Sequence, residues 1–398
     1  MPWRILFLTH RLDVSGAAVQ MAKLGHALTQ QGHTVAAATR SLDPGKPHGE
    51  EFFRDHGFEL FEVDFPAYGA TDRNATALWR SRRQLREVVH RFRPDVLHVH
   101  APTLCLPAKL AGLGLPMTST FHIEVLGQSK RRLARLAVRL DEKAFGERVC
   151  CISSEMKQWL EDQAGLPESR LSLVYNGIER DSFPLPTAEQ RATARQRLGV
   201  SSDALVVCIA ALLEPRKNHR LLLQAVEETR RRGVAVELLC AGSGSAEHEA
   251  SLRGLTDSLG ISQAVHWLGH VDPLPVYHAS DVVALPSTLE GFGQTVVEGV
   301  FAGALPIRSP SAGARDQIVD GETGYLIDPH DASALASLLV ELAADVEKRE
   351  RIARAARRCM EQLFTIEALR DRTLEVYRLA IKERRGEGRA IPRGDETP

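Results

Sequence analysis

The chain has 398 residues, roughly two to three times the usual domain size, so two domains are expected. Hydrophobic residues make up 43% and charged residues 25% of it, which is ordinary for a globular protein with a substantial core. The formal net charge of −1 argues against a protein that binds nucleic acid mainly through phosphate contacts.

In the first half of the chain, short apolar runs alternate with segments whose sequence is typical of amphipathic helices. Apolar strands followed by amphipathic helices predict a parallel sheet that is covered on both faces. The predicted order is a strand at 4–10, a helix at 16–33 that stops at Gly32, a strand at 34–39, a helix at 75–92 and a strand at 95–100.

The alternation restarts after a stretch with two prolines and little apolar periodicity. We therefore predict an α/β protein with two Rossmann-like, doubly wound domains that face a cleft. The strands expected in the second half lie at 204–212, 235–242, 264–269, 281–286 and 304–309, with a helix at 218–232. The predicted boundaries are 1–180 for the first domain, 181–203 for a linker, 204–363 for the second domain and 386–398 for a disordered tail.

Cysteines and apolar runs indicate the compartment. None of the six cysteines belongs to a C-x-x-C pair, and most lie in apolar text, so we expect reduced core thiols. The opening MPWRILFLTH is too short for a signal peptide, and no apolar run approaches the roughly 18 residues that span a membrane. These features predict a cytoplasmic protein.

Two carboxylates follow the strand at 281–286. Glu290 lies in a glycine-containing loop, and Glu298 lies about one turn into a helix that begins near Gln294–Thr295. An ionised carboxylate accepts hydrogen bonds from two neighbouring hydroxyls, and a helix N-terminus favours a diphosphate. The alternative is that Glu298 only complements the helix dipole while Glu290 faces solvent.

The stretch PSTLEGFGQTVVEGVFAGALPI closely resembles the E-x7-E signature of glycosyltransferase family four, which are retaining enzymes of the GT-B fold. Further segments follow in the family's order, so the resemblance covers nearly the whole chain. They include PDVLHVH, TSTFHIE, LVYNGIERDSF, LEPRKNHRLLLQAV, VYHASDVVALPS and DGETGYLIDP.

The resemblance implies a donor site. Glu290 and the backbone of Gly291, Phe292 and Gly293 would hold the transferred sugar, and Glu298 would hold the nucleotide ribose. Gln294 and Thr295, at the helix start, complete the expected donor-binding set with Gly16, which opens the first helix. A plain tight turn at Gly16 is the alternative.

Cations are expected beside the leaving diphosphate. Arg216 and Lys217 follow the first strand of the second domain and could stabilise the growing charge. A solvated basic turn is the alternative. The family often has an arginine where this chain has Leu212, so Arg216 is a candidate substitute.

His122 is implied to face the donor sugar and diphosphate as a hydrogen-bonding catalytic group. A structural histidine is the alternative. His10, His100 and His122 all fall at strand ends, where three imidazoles could bind zinc. No cysteine or acid accompanies them and the chain has no D-x-D, so we predict no metal and no cofactor.

A basic amphipathic segment at 129–145 is expected to be a packed helix with a solvated face. Peripheral contact with an anionic inner membrane surface is the alternative. The text at 364–385 resembles the family's closing helix, which crosses back onto the first domain.

The resemblance implies a metal-independent hexosyltransferase that moves a sugar from a nucleotide-diphosphate sugar to an acceptor hydroxyl in glycan, lipopolysaccharide or glycoconjugate biosynthesis. A nucleotide-sugar 2-epimerase of the same fold and a non-catalytic nucleotide-sugar-binding protein are the alternatives. The sequence indicates neither the donor's base and sugar nor the oligomeric state. The acceptor, which could be glycan, lipid-linked or small, would meet loops at 41–75.

Overall fold

The computed structural model describes residues 2–12, 16–40, 47–65, 75–100, 102–121, 147–163 and 165–384. The chain divides into two compact units. The first unit combines Met1–Gly177 with Ile366–Pro398, and the second is Ile178–Thr365.

In the first unit, the described strands form one parallel sheet in the order β3-β2-β1-β4-β5-β6-β7. Its central strands are apolar and buried on both faces, as expected for a sheet covered by helices. The strands are β1 (Arg4–Leu8), β2 (Thr34–Thr39), β3 (Glu59–Glu62), β4 (Val96–Val99), β5 (Met117–Phe121), β6 (Arg148–Cys151) and β7 (Leu171–Leu173). The helices are α1 (Gly16–Gln30), α2 (Pro47–Asp55), α3 (Ala75–Phe92), α4 (Cys105–Leu110) and α5 (Ser154–Asp162).

The second unit holds another parallel sheet, in the order β10-β9-β8-β11-β12-β13. Its strands are β8 (Leu205–Ala210), β9 (Val236–Ala241), β10 (Val265–Gly269), β11 (Val282–Leu285), β12 (Leu305–Arg308) and β13 (Tyr325–Leu326). Its helices are α6 (Ala188–Leu198), α7 (His219–Arg231), α8 (Ala246–Ser258), α9 (Pro273–Ala279), α10 (Gln294–Phe301), α11 (Ala314–Gln317), α12 (Ala332–Ala344) and α13 (Val346–Leu363). Apolar side chains of α7 and α12 share one core with strands β8 and β9.

The segment at 181–203, which was predicted as a linker, contains helix α6. Thr187 caps its first turn, and Gln190 completes a capping box. The helix packs on α9, and its Arg191 and Arg195 bind Asp281, which follows α9. The missing apolar periodicity therefore does not mean a missing helix.

The last described helix, α14 (Ile366–Arg384), belongs to the first unit. It packs along α1 and contributes Leu369, Leu374 and Tyr377 to that unit's core. The prediction that the closing helix returns to the N-terminal domain is confirmed.

The cysteines match the expectation of core thiols with one correction. All six are free, and Cys105, Cys150, Cys151, Cys208 and Cys240 are buried. Cys359, on α13, is exposed. Each described helix is too short or too polar to traverse a bilayer.

Several predictions fall outside the described residues. His122, the basic segment at 129–145 and the tail at 386–398 are among them, as are parts of the 41–75 loop region.

Candidate functional site in the second unit

The second sheet reverses its strand order between β8 and β11. From β8 the chain builds outward through β9 to β10, and it then returns to place β11 on the other side of β8. In open parallel sheets, ligands bind at this switch point, outside the carboxyl ends of the strands. The segments that follow β8 and β11 carry Arg216–Lys217 and Glu290, respectively.

Lys217 and Glu290 meet at this point. The Lys217 ammonium donates to the Glu290 carboxylate with an Nζ–Oε2 distance of 2.5 Å, and the two side chains are only 11% and 12% exposed. Burial would raise the pKa of Glu290, but Lys217 and the nearby Arg308 outweigh it, so the pKa of this carboxyl lies below its usual value. Glu290 is therefore ionised at neutral pH and positioned beside a buried cation.

The two loops are also joined through their backbones. The Thr288 amide donates to the Arg216 carbonyl at 2.8 Å. The Arg216 guanidinium is half-exposed and pairs with Glu214 at 2.6 Å. Lys217 therefore has its charge inside the switch point, whereas Arg216 carries its charge at the surface.

A buried arginine supports the loop between the two glutamates. Arg308 is fully buried at the end of β12, and it donates to the Phe292 carbonyl at 2.8 Å. Gln317 donates to the same carbonyl at 2.7 Å. Gly293 follows with a φ of +79°, and a Cβ there would lie 2.9 Å from the Arg308 guanidinium carbon, so only glycine fits. The loop thus enters α10 in one fixed conformation.

Glu298 is positioned by a residue that the sequence analysis missed. The hydroxyl of Tyr277, on α9, donates to Glu298 Oε2 at 2.9 Å. Burial, with the Glu298 charge next, raises the pKa of Tyr277 well above its ordinary value, so this phenol stays protonated.

The structure brings most of the predicted donor residues to one place. Glu290, Gly291, Phe292 and Gly293 form the loop, Gln294 and Thr295 begin α10, and Glu298 lies one turn later. Arg216 and Lys217 lie on the neighbouring loop. Gly16 is the first residue of α1, which follows β1 of the other unit.

The strand-end histidines of the first unit have mixed surroundings. His10 Nε2 lies 2.6 Å from the Thr103 hydroxyl, and burial, helped by Arg40 and Arg11, lowers the pKa of His10 to about 4. The rings of His100 and His98 lie 4.1 Å apart. Among the described residues, no group of three histidine, cysteine or acidic side chains is arranged to hold a metal ion.

Three residues that shape this site were not predicted from the sequence, which contains at most weak signals for them. Arg308 is a charged residue inside the apolar run ALPIRS, and such a residue is expected to be buried only where it has hydrogen-bond partners. Tyr277 stands in VYHASDVVALPS, and Gln317 has no local signal. Both depend on tertiary packing that a single sequence does not reveal.

Comparisons with known proteins agree with this architecture. Residues 14–182 match the family Glycosyltransferase Family 4, and residues 190–359 match Glycosyl transferases group 1. A D-inositol 3-phosphate glycosyltransferase of Xylanimonas cellulosilytica is 26% identical over 393 residues, which cover 94% of this chain and 93% of the relative. One of Streptomyces avermitilis is 29% identical over 65% of this chain, but the match spans only 57% of that relative.

Solved structures show the same fold. The Anabaena protein Alr3699/HepE, in complex with UDP and glucose, superposes with a TM-score of 0.77 at 20% identity, over 94% of this chain and 98% of that protein. A glycosyltransferase from Rickettsia africae gives 0.81 at 19% identity, over 96% and 99% of the two chains. The predicted GT-B fold, with two parallel-sheet α/β domains, is confirmed.

The two family matches follow one another along the chain, and one relative aligns over nearly its whole length. This chain therefore belongs to the group 1 glycosyltransferases, with an N-terminal half of glycosyltransferase family 4.

Proposed function

We propose that this chain transfers a hexosyl unit from a nucleotide-diphosphate sugar to an acceptor hydroxyl, with retention of anomeric configuration and without a metal. The observation that carries the proposal is the buried Lys217–Glu290 pair at the switch point of the second sheet. A cation and a carboxylate held together there suit a ligand that has both a diphosphate and sugar hydroxyls. The Anabaena structure, which contains UDP and glucose, supports the same ligand class.

In the proposed reaction, the bond from the anomeric carbon to the β-phosphate oxygen breaks while the acceptor oxygen bonds to that carbon on the same face. The acceptor proton passes to the departing phosphate oxygen, so a nucleoside diphosphate and a glycoside result. Lys217 and Arg216 would stabilise the charge that develops on the diphosphate. Glu290 and the loop of Gly291 to Gly293 would orient the sugar.

Glu298, fixed by Tyr277, would accept from the hydroxyls of the nucleotide ribose. Gly16, Gln294 and Thr295 would complete the donor contacts, and His122 would donate to the sugar or diphosphate. We propose no cofactor beyond the donor and assign the acceptor only as a hydroxyl compound. D-inositol 3-phosphate, named in the activity of two relatives, is one acceptor to test.

The test is nucleotide release from UDP-, GDP-, ADP- and TDP-sugars with an acceptor panel, in the presence of EDTA. We expect Glu290→Gln and Lys217→Met each to lower turnover by about a hundredfold, the usual effect of losing a group that stabilises transition-state charge. The matched controls are Glu341→Gln and Lys348→Met, which disrupt an ion pair on the surface of α12 and α13. Those controls should retain full turnover.

Other outcomes identify the alternatives. Full turnover by Glu290→Gln would remove the assignment of this site. Conversion of a nucleotide sugar to its epimer without acceptor, observed by NMR, would indicate an epimerase. Nucleotide binding without turnover across the panel would indicate a sensor, and an inverted product would exclude the same-face mechanism.

A further inference from the structure

The second unit has a cavity at the end of its sheet opposite to Lys217 and Glu290. It has a volume of about 550 Å³ and lies where β8 and β11 begin. One wall consists of Arg191 and Arg195 from α6, Arg349 from the first turn of α13, and Asp281, which precedes β11. We call this feature the arginine pocket.

The arginine pocket has more positive than negative charge in its wall. Asp281 Oδ1 lies 2.7 Å from Arg191 and 3.2 Å from Arg349, and Oδ2 lies 2.8 Å from Arg195. Both oxygens of this single carboxylate are thus occupied, and Oδ2 also accepts from the Val206 amide. Around Asp281 itself, three guanidinium groups against one carboxylate leave a local surplus of two positive charges.

Other acids offset this surplus only in part. Asp203 also lines the pocket and Glu350 acts on Arg191, but both side chains are exposed to water, which weakens the effect of their charge. The pKa of Arg191 is lowered chiefly by burial. Asp281 opposes this shift, the neighbouring Arg195 and Arg349 add to it, and Glu350 opposes it to a smaller extent. An additional anion would relieve this repulsion.

Two of the arginines retain the capacity to bind such an anion. Arg195 uses Nε for the Ala279 carbonyl and Nη1 for backbone carbonyls that include that of Ser202. Among the residues that the structure describes, however, the Nε groups of Arg191 and Arg349 have no protein acceptor. The side chain of Arg191 is 33% exposed, so a solute can reach it.

Apolar side chains, among them Val234, Val340 and Val346, also line the pocket. A volume of this size falls within the roughly 300–1,000 Å³ of ordinary small-molecule sites. Guanidinium groups match the oxygens of a phosphate in pairs, and the surplus of positive charge around Asp281 favours an anionic ligand. We propose that the arginine pocket binds a phosphate dianion, carried by a small phosphorylated molecule, between Arg191 and Arg349.

Calorimetric titration of the full chain with inorganic phosphate and with phenyl phosphate, at matched ionic strength in chloride, tests the proposal. Both should bind the wild type. Arg191→Gln and Arg349→Gln should each weaken binding by about tenfold or more, as expected for the loss of a charge-assisted hydrogen bond. Arg358→Gln, an exposed arginine on the same helix as Arg349, is the matched control and should bind like the wild type.

Lys217→Met distinguishes this pocket from the proposed donor site: it should leave unchanged the phosphate binding that is weakened in Arg191→Gln and Arg349→Gln, and it can remove only binding at the donor site. Tighter binding of phenyl phosphate would mean that the apolar side chains of the pocket contact the ligand's body, and equal binding would mean that the phosphate group alone is recognised. Absence of binding to the wild type, or binding lost in Lys217→Met and kept in Arg349→Gln, would overturn the proposal.

A measurement on the wild type covers the case in which an arginine variant does not fold. Phenylglyoxal modifies accessible arginines, and mass spectrometry gives the rate at each site. Phosphate should slow modification of Arg191 severalfold relative to the exposed Arg358. Equal rates at Arg191 with and without phosphate would contradict the assignment.

Discussion

At the scale of single residues, the tyrosine behind Glu298 connects packing to the proposed chemistry. Tyr277 is fully buried and lies edge-on to Phe183, with ring centroids 5.9 Å apart. Because the phenol stays protonated, it can only donate to Glu298 Oε2. It therefore fixes one carboxylate oxygen and so the direction of the other.

We predict that Tyr277→Phe raises the KM for the nucleotide sugar severalfold with little change in kcat. The carboxylate would lose the donor that orients it, so ribose binding would weaken in the ground state and the transition state alike. The free energy of unfolding should fall by only about 1 kcal/mol, the usual value of one buried hydrogen bond. Initial-rate kinetics over a range of donor concentrations measure both constants.

Tyr377→Phe is the matched control for this prediction. Tyr377 is buried in the first unit, and its hydroxyl lies 2.7 Å from His98 Nδ1, so the same deletion removes a comparable bond. Its donor KM should equal that of the wild type. A Tyr277→Phe enzyme that loses kcat at unchanged KM would show that Glu298 does not act through donor binding.

At the scale of elements, helices and strands with a periodic pattern of apolar residues were predicted well from the sequence. The helix expected to begin near Gln294–Thr295 runs from Gln294 to Phe301 in the structure. The strand at 34–39 and the helix at 75–92 also have their predicted bounds. In each case the apolar spacing and the local stop signals act within a few residues. In these elements the spacing of apolar residues along the sequence determines which face is buried.

Elements and contacts that depend on distant partners were missed. Helix α6 is held by Asp281, about ninety positions later, and the Phe292 carbonyl is held by Arg308 and Gln317. Neither set of hydrogen bonds produces a periodic pattern of apolar residues in the sequence. The sequence predicted Glu290 after one strand of the second domain and Lys217 after another, but it did not pair them, because neither strand order nor the reach of a side chain can be read from one sequence.

Helix α14 is an element whose removal has a defined consequence. It supplies Leu369, Leu374 and Tyr377 to the core of the first unit, and Tyr377 bonds to His98 of β4. Deleting residues from 366 onward should expose that core. We expect amides of β1 and α1 to lose at least tenfold in hydrogen-exchange protection, because local stability there depends on packing against α14.

The second unit is the internal control for this deletion. Its core includes residues of α7, α12, β8 and β9, and within the described part of the chain no residue beyond Thr365 contributes to it. Amides of β8 and β9 should therefore keep their protection in the shortened chain. Equal loss in both sheets would mean that the two units do not unfold separately.

At the scale of the whole molecule, each unit contains histidine and cysteine side chains whose pKa values are shifted so that they are uncharged near neutral pH. Burial is the main cause that lowers the pKa of His10 and His219 to about 4, and a neighbouring charge adds to it in each case. His219 is 2% exposed, and neither of its ring nitrogens has a partner among the described residues. Burial also raises the pKa of Cys150 and Cys208 to about 12.

These shifts predict a plateau of stability with losses on both sides. Below the unfolded histidine value of 6.5, the unfolded chain takes up protons that the folded chain does not, so stability falls as the pH falls towards 4. Above the unfolded thiol value of 9.0, the unfolded chain releases protons that the folded chain retains, so stability falls again. The maximum should lie between those two values.

Urea unfolding followed by circular dichroism from about pH 7 to pH 5 isolates the histidine part, since carboxyl groups titrate mostly below this range. His219 alone should remove about 2 kcal/mol over that interval. His219→Leu deletes the buried ring nitrogens, which have no partner among the described residues, and should make the acid loss smaller by that amount. The control is His90→Leu, which replaces an exposed histidine on α3 and should leave the acid loss unchanged. An unchanged slope in His219→Leu would mean that the folded protein admits a proton at this imidazole, and hence that α7 begins in a wetter environment than its burial implies.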